Sequence, residues 1–256
     1  MLQTFYSVIG SGKCRVHLKT VLDDADHPDK IVLFTHGFSS SKDGHSALTF
    51  AEYSFPYFKD FIYMAFDWPG HGESKSDALR LDKCTEYMNC VLDYLKEKYP
   101  ALPVYVYGTS FGGYLPLKYI YEHGMKFEKA ALRCPAVNMF EVLTGSIFEA
   151  GQLSRIMAGE TLDIGLGDTV KVSREYLKDL EQFDVSSKDY TKYCGRLLIL
   201  QGTKDELVPY ETVRRFAECN NIEFHEYPGA DHRYTDDDDM RKAVKDIADY
   251  FELKPR

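Results

Sequence analysis

No two of the six cysteines (Cys14, Cys84, Cys90, Cys134, Cys194 and Cys219) stand at C-x-x-C spacing, so the usual zinc and dithiol signatures are missing. Thiols scattered in this way are expected to be reduced and buried, as in a cytoplasmic protein. Positive charge is also in short supply. The 31 Lys and Arg against 40 Asp and Glu leave a net −9, with no basic stripe to offset phosphate repulsion. Nucleic acid is therefore excluded as a partner, and an anionic membrane surface is disfavoured. No apolar run approaches the roughly 20 residues of a spanning helix, and the first residues lack a basic stretch followed by an apolar one. Neither a transmembrane segment nor a signal peptide is expected. Internal repeats and low-complexity linkers are absent as well. Tryptophan occurs once, whereas 19 Tyr and 16 Phe supply aromatic bulk, mostly for ordinary core packing.

What is present is an alternation. Strand-like runs at 31–35, 61–67, 103–108, 129–134, 196–201 and 223–227 are interleaved with helical spacing at 45–57, 82–99, 110–123, 211–219 and 238–253. This order predicts an α/β fold, a mostly parallel sheet with helices on both faces. A hairpin is expected at the start, with strands at 4–8 and 15–21 around Gly10-Ser11-Gly12. Between 136 and 190 the alternation stops. That stretch holds partly helical segments and a hairpin signal at Gly167-Asp168, so it reads as an inserted cap. Residues 1–135 and 191–256 would then form one core domain. The acidic run Asp236–Asp239 is read as a solvated loop whose later members cap the last helix.

The sharpest chemical signal is Gly108-Thr109-Ser110-Phe111-Gly112, after the apolar run Val104-Tyr105-Val106-Tyr107 and before a helical pattern. A serine in a sharp strand-to-helix turn needs glycines two residues away on either side, because the chain closes on itself there. A serine hydroxyl is too weak an acid to attack an ester unaided, so a base and an orienting carboxylate are required. Downstream strand ends offer both: Asp205 in Gly202-Thr203-Lys204-Asp205 and His232 in Gly229-Ala230-Asp231-His232. Ser110 is thus the candidate nucleophile, His232 the general base and acid, and Asp205 the carboxylate, with neighbouring Glu206 as its competitor. Backbone N–H groups of Phe111 and Phe38 are candidate oxyanion donors. His36, before Gly37, is read as orienting that loop. The Phe38 side chain, with Phe140, Phe148 and Met157 from the cap, is expected to contact substrate. Arg133, in a strand of Ala, Leu and Cys, needs a carboxylate partner if buried. That partner is either a structural acid or an acidic substrate.

Taken together, His36-Gly37-Phe38, Asp67-Trp68-Pro69-Gly70-His71-Gly72-Glu73-Ser74, Gly108–Gly113, Gly202–Pro209 and Gly229-Ala230-Asp231-His232 resemble the α/β-hydrolase superfamily. Within it the chain is similar to small bacterial cinnamoyl (feruloyl) esterases and related carboxylesterases, from about residue 5 to 251. The resemblance implies an eight-stranded mixed sheet with a cap between strands six and seven, and hydrolysis of a carboxylic ester through an acyl-enzyme. It implies no cofactor and no metal. The expected partner is a small-molecule ester, on a monomer or homodimer. Amide or peptide hydrolysis and thioester hydrolysis or acyl transfer remain alternatives. A non-catalytic receptor is disfavoured by the complete Ser110, Asp205 and His232 set.

Overall fold

The computed structural model describes residues 1–10 and 14–256; Ser11 and Gly12 of the expected first turn lie outside the described residues. Eight strands form one sheet: β1 Leu2–Ile9, β2 Val16–Asp23, β3 Lys30–Thr35, β4 Phe61–Phe66, β5 Val104–Thr109, β6 Ala130–Arg133, β7 Leu197–Gly202 and β8 Glu223–Tyr227. Their spatial order is β1-β2-β4-β3-β5-β6-β7-β8. β1 and β2 pair antiparallel, as do β2 and β4, and every other pairing is parallel. The sheet is the mostly parallel one expected from the alternation.

Side chains alternate across a strand, so each central strand feeds two cores. In β4, Ile62, Met64 and Phe66 enter one core while Phe61, Tyr63 and Ala65 enter the other. The first core lies under α2 (Leu81–Lys98), α3 (Phe111–His123) and α7 (Tyr210–Cys219). The second lies under α1 (His45–Ser54) and α8 (Asp237–Tyr250). α2 forms because Leu81, Cys84, Met88, Val91, Leu92 and Leu95 recur at helical spacing and are buried. α8 is capped by Asp236, whose carboxylate accepts from the N–H groups of Asp238 (2.9 Å) and Asp239 (3.3 Å). The capping residue is thus the first of the acidic run, not a later one. The other three acids occupy the first turn, where the helix dipole favours them.

Residues 136–190 carry α4 (Met139–Val142), a π-helical turn at Leu143–Ile147, α5 (Gln152–Met157), an antiparallel hairpin of Leu162–Ile164 with Val170–Val172, and α6 (Arg174–Gln182). Leu143, Ile156, Ile164, Val172, Tyr176 and Leu177 join the first core. The segment therefore packs on the α2 and α3 side of the sheet. None of the described helices is long and apolar enough to cross a membrane.

Candidate active site

β5 ends at Thr109, and Ser110 takes φ 55° and ψ −119° before α3 starts at Phe111. A positive φ is unfavourable for a side-chain-bearing residue, so surrounding contacts must hold it. The Ser110 N–H donates to the Arg133 carbonyl at 3.0 Å. The Ser110 carbonyl accepts from Gly113, Tyr114 and Ala136 N–H groups at 2.9–3.1 Å. Both flanking glycines are sterically required. A Cβ on Gly108 would lie 2.2 Å from the Gly112 carbonyl oxygen, and one on Gly112 would lie 2.0 Å from that of Thr35. The Thr35 hydroxyl closes this lock by donating to the Gly112 carbonyl at 2.7 Å.

Asp205 and His232 meet from the loops after β7 and β8. His232 Nδ1 lies 3.0 and 2.9 Å from the two Asp205 oxygens. With the carboxylate on Nδ1, that nitrogen carries the proton and Nε2 keeps its lone pair. Asp205 also accepts from the N–H groups of Leu207 (3.0 Å) and Val208 (2.8 Å) and from Gln201 Nε2 (2.9 Å). Burial alone would raise its carboxyl, but the bonds to His232 and Val208 prevail and hold it below the usual carboxylate range. Glu206 does a different job: its Oε2 accepts the backbone N–H of His232 at 3.1 Å. Cys134, Asp205 and His232 bring one ligand atom each within 4.8 Å of one another. Burial pushes the Cys134 thiol well up, which opposes the thiolate a metal would need.

The loop after β3 supplies Phe38. Among the described residues, neither the Phe38 nor the Phe111 backbone N–H has an intramolecular acceptor. Gly37 lets the loop approach the serine, since a Cβ there would sit 3.3 Å from Ser110 Cβ. Buried His36 joins this loop to the next. Its Nε2 accepts the Trp68 N–H at 3.1 Å, so its Nδ1 holds the proton given to the Gly37 carbonyl at 2.9 Å. Burial lowers its pKa to about 4, which keeps it neutral. Lys42 ties the same loop down from behind. Its N–H and Nζ both donate to Asp67 (2.8 and 3.0 Å), and Nζ also reaches Glu73. No local signal in the sequence marks Lys42 as buried, because its partners arrive from the segment after β4. Gln201 was legible in principle, as the polar end of the apolar run Leu197-Leu198-Ile199-Leu200.

Ser110, His232, Phe38 and Thr109 line one cavity of about 360 Å³. Its apolar wall is Ile147, Leu166 and Leu207. The cap residues expected there behave differently. Phe140 and Phe148 pack against the first core, and Met157 stays 39% exposed. The reason is local geometry: the π-helical turn and the following Gly151, at φ 83°, rotate that stretch away from simple helical periodicity. Arg133 also lines the cavity, and it is 2% exposed. No carboxylate pairs with it among the described residues, so the structural ion pair considered from sequence is not found. Its Nη1 donates to the Arg233 carbonyl (2.7 Å) and its Nη2 to the Ser46 hydroxyl (2.9 Å).

Comparison with known proteins identifies the fold and the family. The chain is 24% identical over 211 residues to a monoglyceride lipase homolog of Monkeypox virus, covering 72% of this chain and 76% of that one. A putative hydrolase from Agrobacterium vitis shares the fold with a TM-score of 0.76 at 19% identity, covering 98% and 99% of the two chains. Est1E of Butyrivibrio proteoclasticus, in a structure with ferulic acid bound, gives the same score and identity over 96% and 98%. The fold is that of the α/β hydrolases. Residues 26–163, more than half of the chain, match the family described as serine aminopeptidase, S33, and the chain belongs to that family of hydrolases.

Proposed function

We propose that this chain is a serine carboxylesterase acting through an acyl-enzyme, with Ser110 as nucleophile, His232 as base and acid, and Asp205 as the orienting carboxylate. The observation that carries the reading is Ser110 in its positive-φ turn, sharing one cavity with a His232 whose Nδ1 is bonded to Asp205. His232 Nε2 takes the serine proton as Oγ attacks the ester carbonyl. The oxyanion that forms is received by the N–H groups of Phe38 and Phe111. The leaving alcohol takes the proton back from His232, and water then repeats the sequence on the acyl-enzyme. Residues 136–190 serve as the cap, with Ile147 and Leu166 as its cavity-facing contribution.

Ester is favoured over peptide as substrate because a monoglyceride lipase homolog is among the similar proteins, although the family description names an aminopeptidase. A cinnamoyl acyl group is the finer option. Its support is the shared fold with Est1E and the Phe38 ring in the lining. The test is a panel of nitrophenyl esters of rising chain length beside methyl ferulate, a monoacylglycerol and an aminoacyl anilide, run on wild type and Ser110→Ala. Turnover of esters is expected to fall at least about a thousandfold in the variant. Retained activity in a folded Ser110→Ala protein, or a clear preference for the anilide, overturns the proposal.

A further inference from the structure

Arg133 presents a charge that the fold does not use. It ends β6, and the alternation of that strand aims it into the space between α1 and the His232 loop. A guanidinium has five N–H donors. Its two protein acceptors within hydrogen-bond distance, the Arg233 carbonyl and the Ser46 hydroxyl, are both neutral, as is the buried Tyr107 phenol beside it, and its Nε–H has no partner among the described residues. A neutral amide would serve those two acceptors equally well. Burying a full charge for that purpose alone is costly, and the Tyr234 ring, 5.1 Å away, offsets only part of it. The side chain nevertheless lines the same cavity as Ser110, and the Arg133 carbonyl accepts the Ser110 N–H. Arg233 and Asp168 are the other fully charged side chains in the lining, so the cavity leans positive inside a chain of net charge −9.

We infer that Arg133 is an anion anchor, and that the natural ester carries a carboxylate a few atoms from its scissile carbonyl. This inference rests on the ester-hydrolase reading for its substrate class, but the anchor itself does not depend on turnover. A planar guanidinium fork suits a carboxylate, and the low-dielectric setting strengthens the bond. The carboxylate completes the pairing that β6 leaves open. It also discriminates, because a neutral ester leaves the guanidinium unpaired in the bound state.

The experiment uses two matched pairs of esters. On the acyl side, the mono-4-nitrophenyl ester of glutaric acid is compared with that of glutaramic acid, its neutral isostere. On the alcohol side, 4-acetoxybenzoate is compared with 4-acetoxybenzamide. Wild type is expected to prefer the acid over the amide at least about tenfold in kcat/KM in one pair, mostly through KM, as a charge-assisted bond supplies. Arg133→Met is expected to bring that ratio near one, and Arg133→Lys to retain part of it. Ratios near one in wild type for both pairs, with the esters themselves hydrolysed, overturn the anchor and leave the esterase reading standing. A second measurement needs no catalysis. Glutarate is expected to raise the melting temperature of Ser110→Ala more than glutaramide does, and Arg133→Lys in that background is expected to reduce the difference. If no ester is hydrolysed but the glutarate effect depends on Arg133, the esterase reading falls and the anchor stands. If glutarate and glutaramide act alike, the anchor falls.

Discussion

Asp205 and Glu206 are neighbours in sequence, yet their carboxylates hold opposite ends of the same histidine. Asp205 takes the imidazole Nδ1, and Glu206 takes the backbone N–H. Removing the charge at each position therefore has different consequences. Asp205→Asn loses the acceptor that fixes the tautomer, and is expected to lower kcat by about 10²–10⁴. Glu206→Gln keeps an oxygen for the His232 N–H and is expected to lose less than about tenfold, since a neutral acceptor replaces a charged one. Steady-state kinetics on both folded variants decide it, and greater damage from Glu206→Gln reverses the assignment. At this scale the strand-to-helix turn at Ser110 is legible from sequence because steric closure demands glycine on either side of it. The pairing of Asp205 with His232 is legible because both follow apolar strands. Lys42 is not, since its burial depends on Asp67, 25 residues away along the chain. Neither is the carbonyl and hydroxyl environment of Arg133, which only tertiary packing assembles.

Among elements, the central strands and α2 announce themselves through periods of 2 and 3.6, and the observed bounds differ from expectation by a few residues. The stretch 136–190 does not. Its helices are short, its π-helical turn breaks periodicity, and Gly151 takes a left-handed conformation just before α5. Phe140 and Phe148 therefore serve the core, while Leu166 and Ile147, which packs on the core as well, reach the cavity. Leu166 sits at the tip of the hairpin within 136–190 and is 47% exposed. Substituting Ile147 or Leu166 by Ala is expected to reorder the preference among acyl chain lengths. Met157→Ala is expected to leave the order as it is. Ranked kcat/KM values over the nitrophenyl ester series check this. A reordering by Met157→Ala alone contradicts the placement.

The whole molecule couples its stability to pH through two buried imidazoles. Burial lowers His36 to about 4 and His71 to about 3, against an ordinary value of 6.5. The unfolded chain takes up both protons below pH 6.5, whereas the folded chain refuses them. Each histidine therefore contributes stability that is fully present above pH 6.5 and lost on acidification. The loss runs at about 1.4 kcal/mol per pH unit until the folded value is reached. Urea midpoints are expected to fall clearly between pH 7 and pH 5, and an unchanged midpoint contradicts the neutral burial of these rings. The site, however, does not draw evenly on this stability. Ser110 stands at the end of central β5, but His232, its proposed base, follows β8, which among the described residues is an edge strand paired on one side only. Local opening starts where buried contacts are fewest, and an edge strand has fewer than a central one. Trp68 is wholly buried in the first core beside β4, so its fluorescence follows the interior of the sheet. In rising urea, catalysis is expected to vanish at a lower concentration than the Trp68 signal, leaving an intermediate range in which the fold persists with its hydroxyl stranded from its proton acceptor.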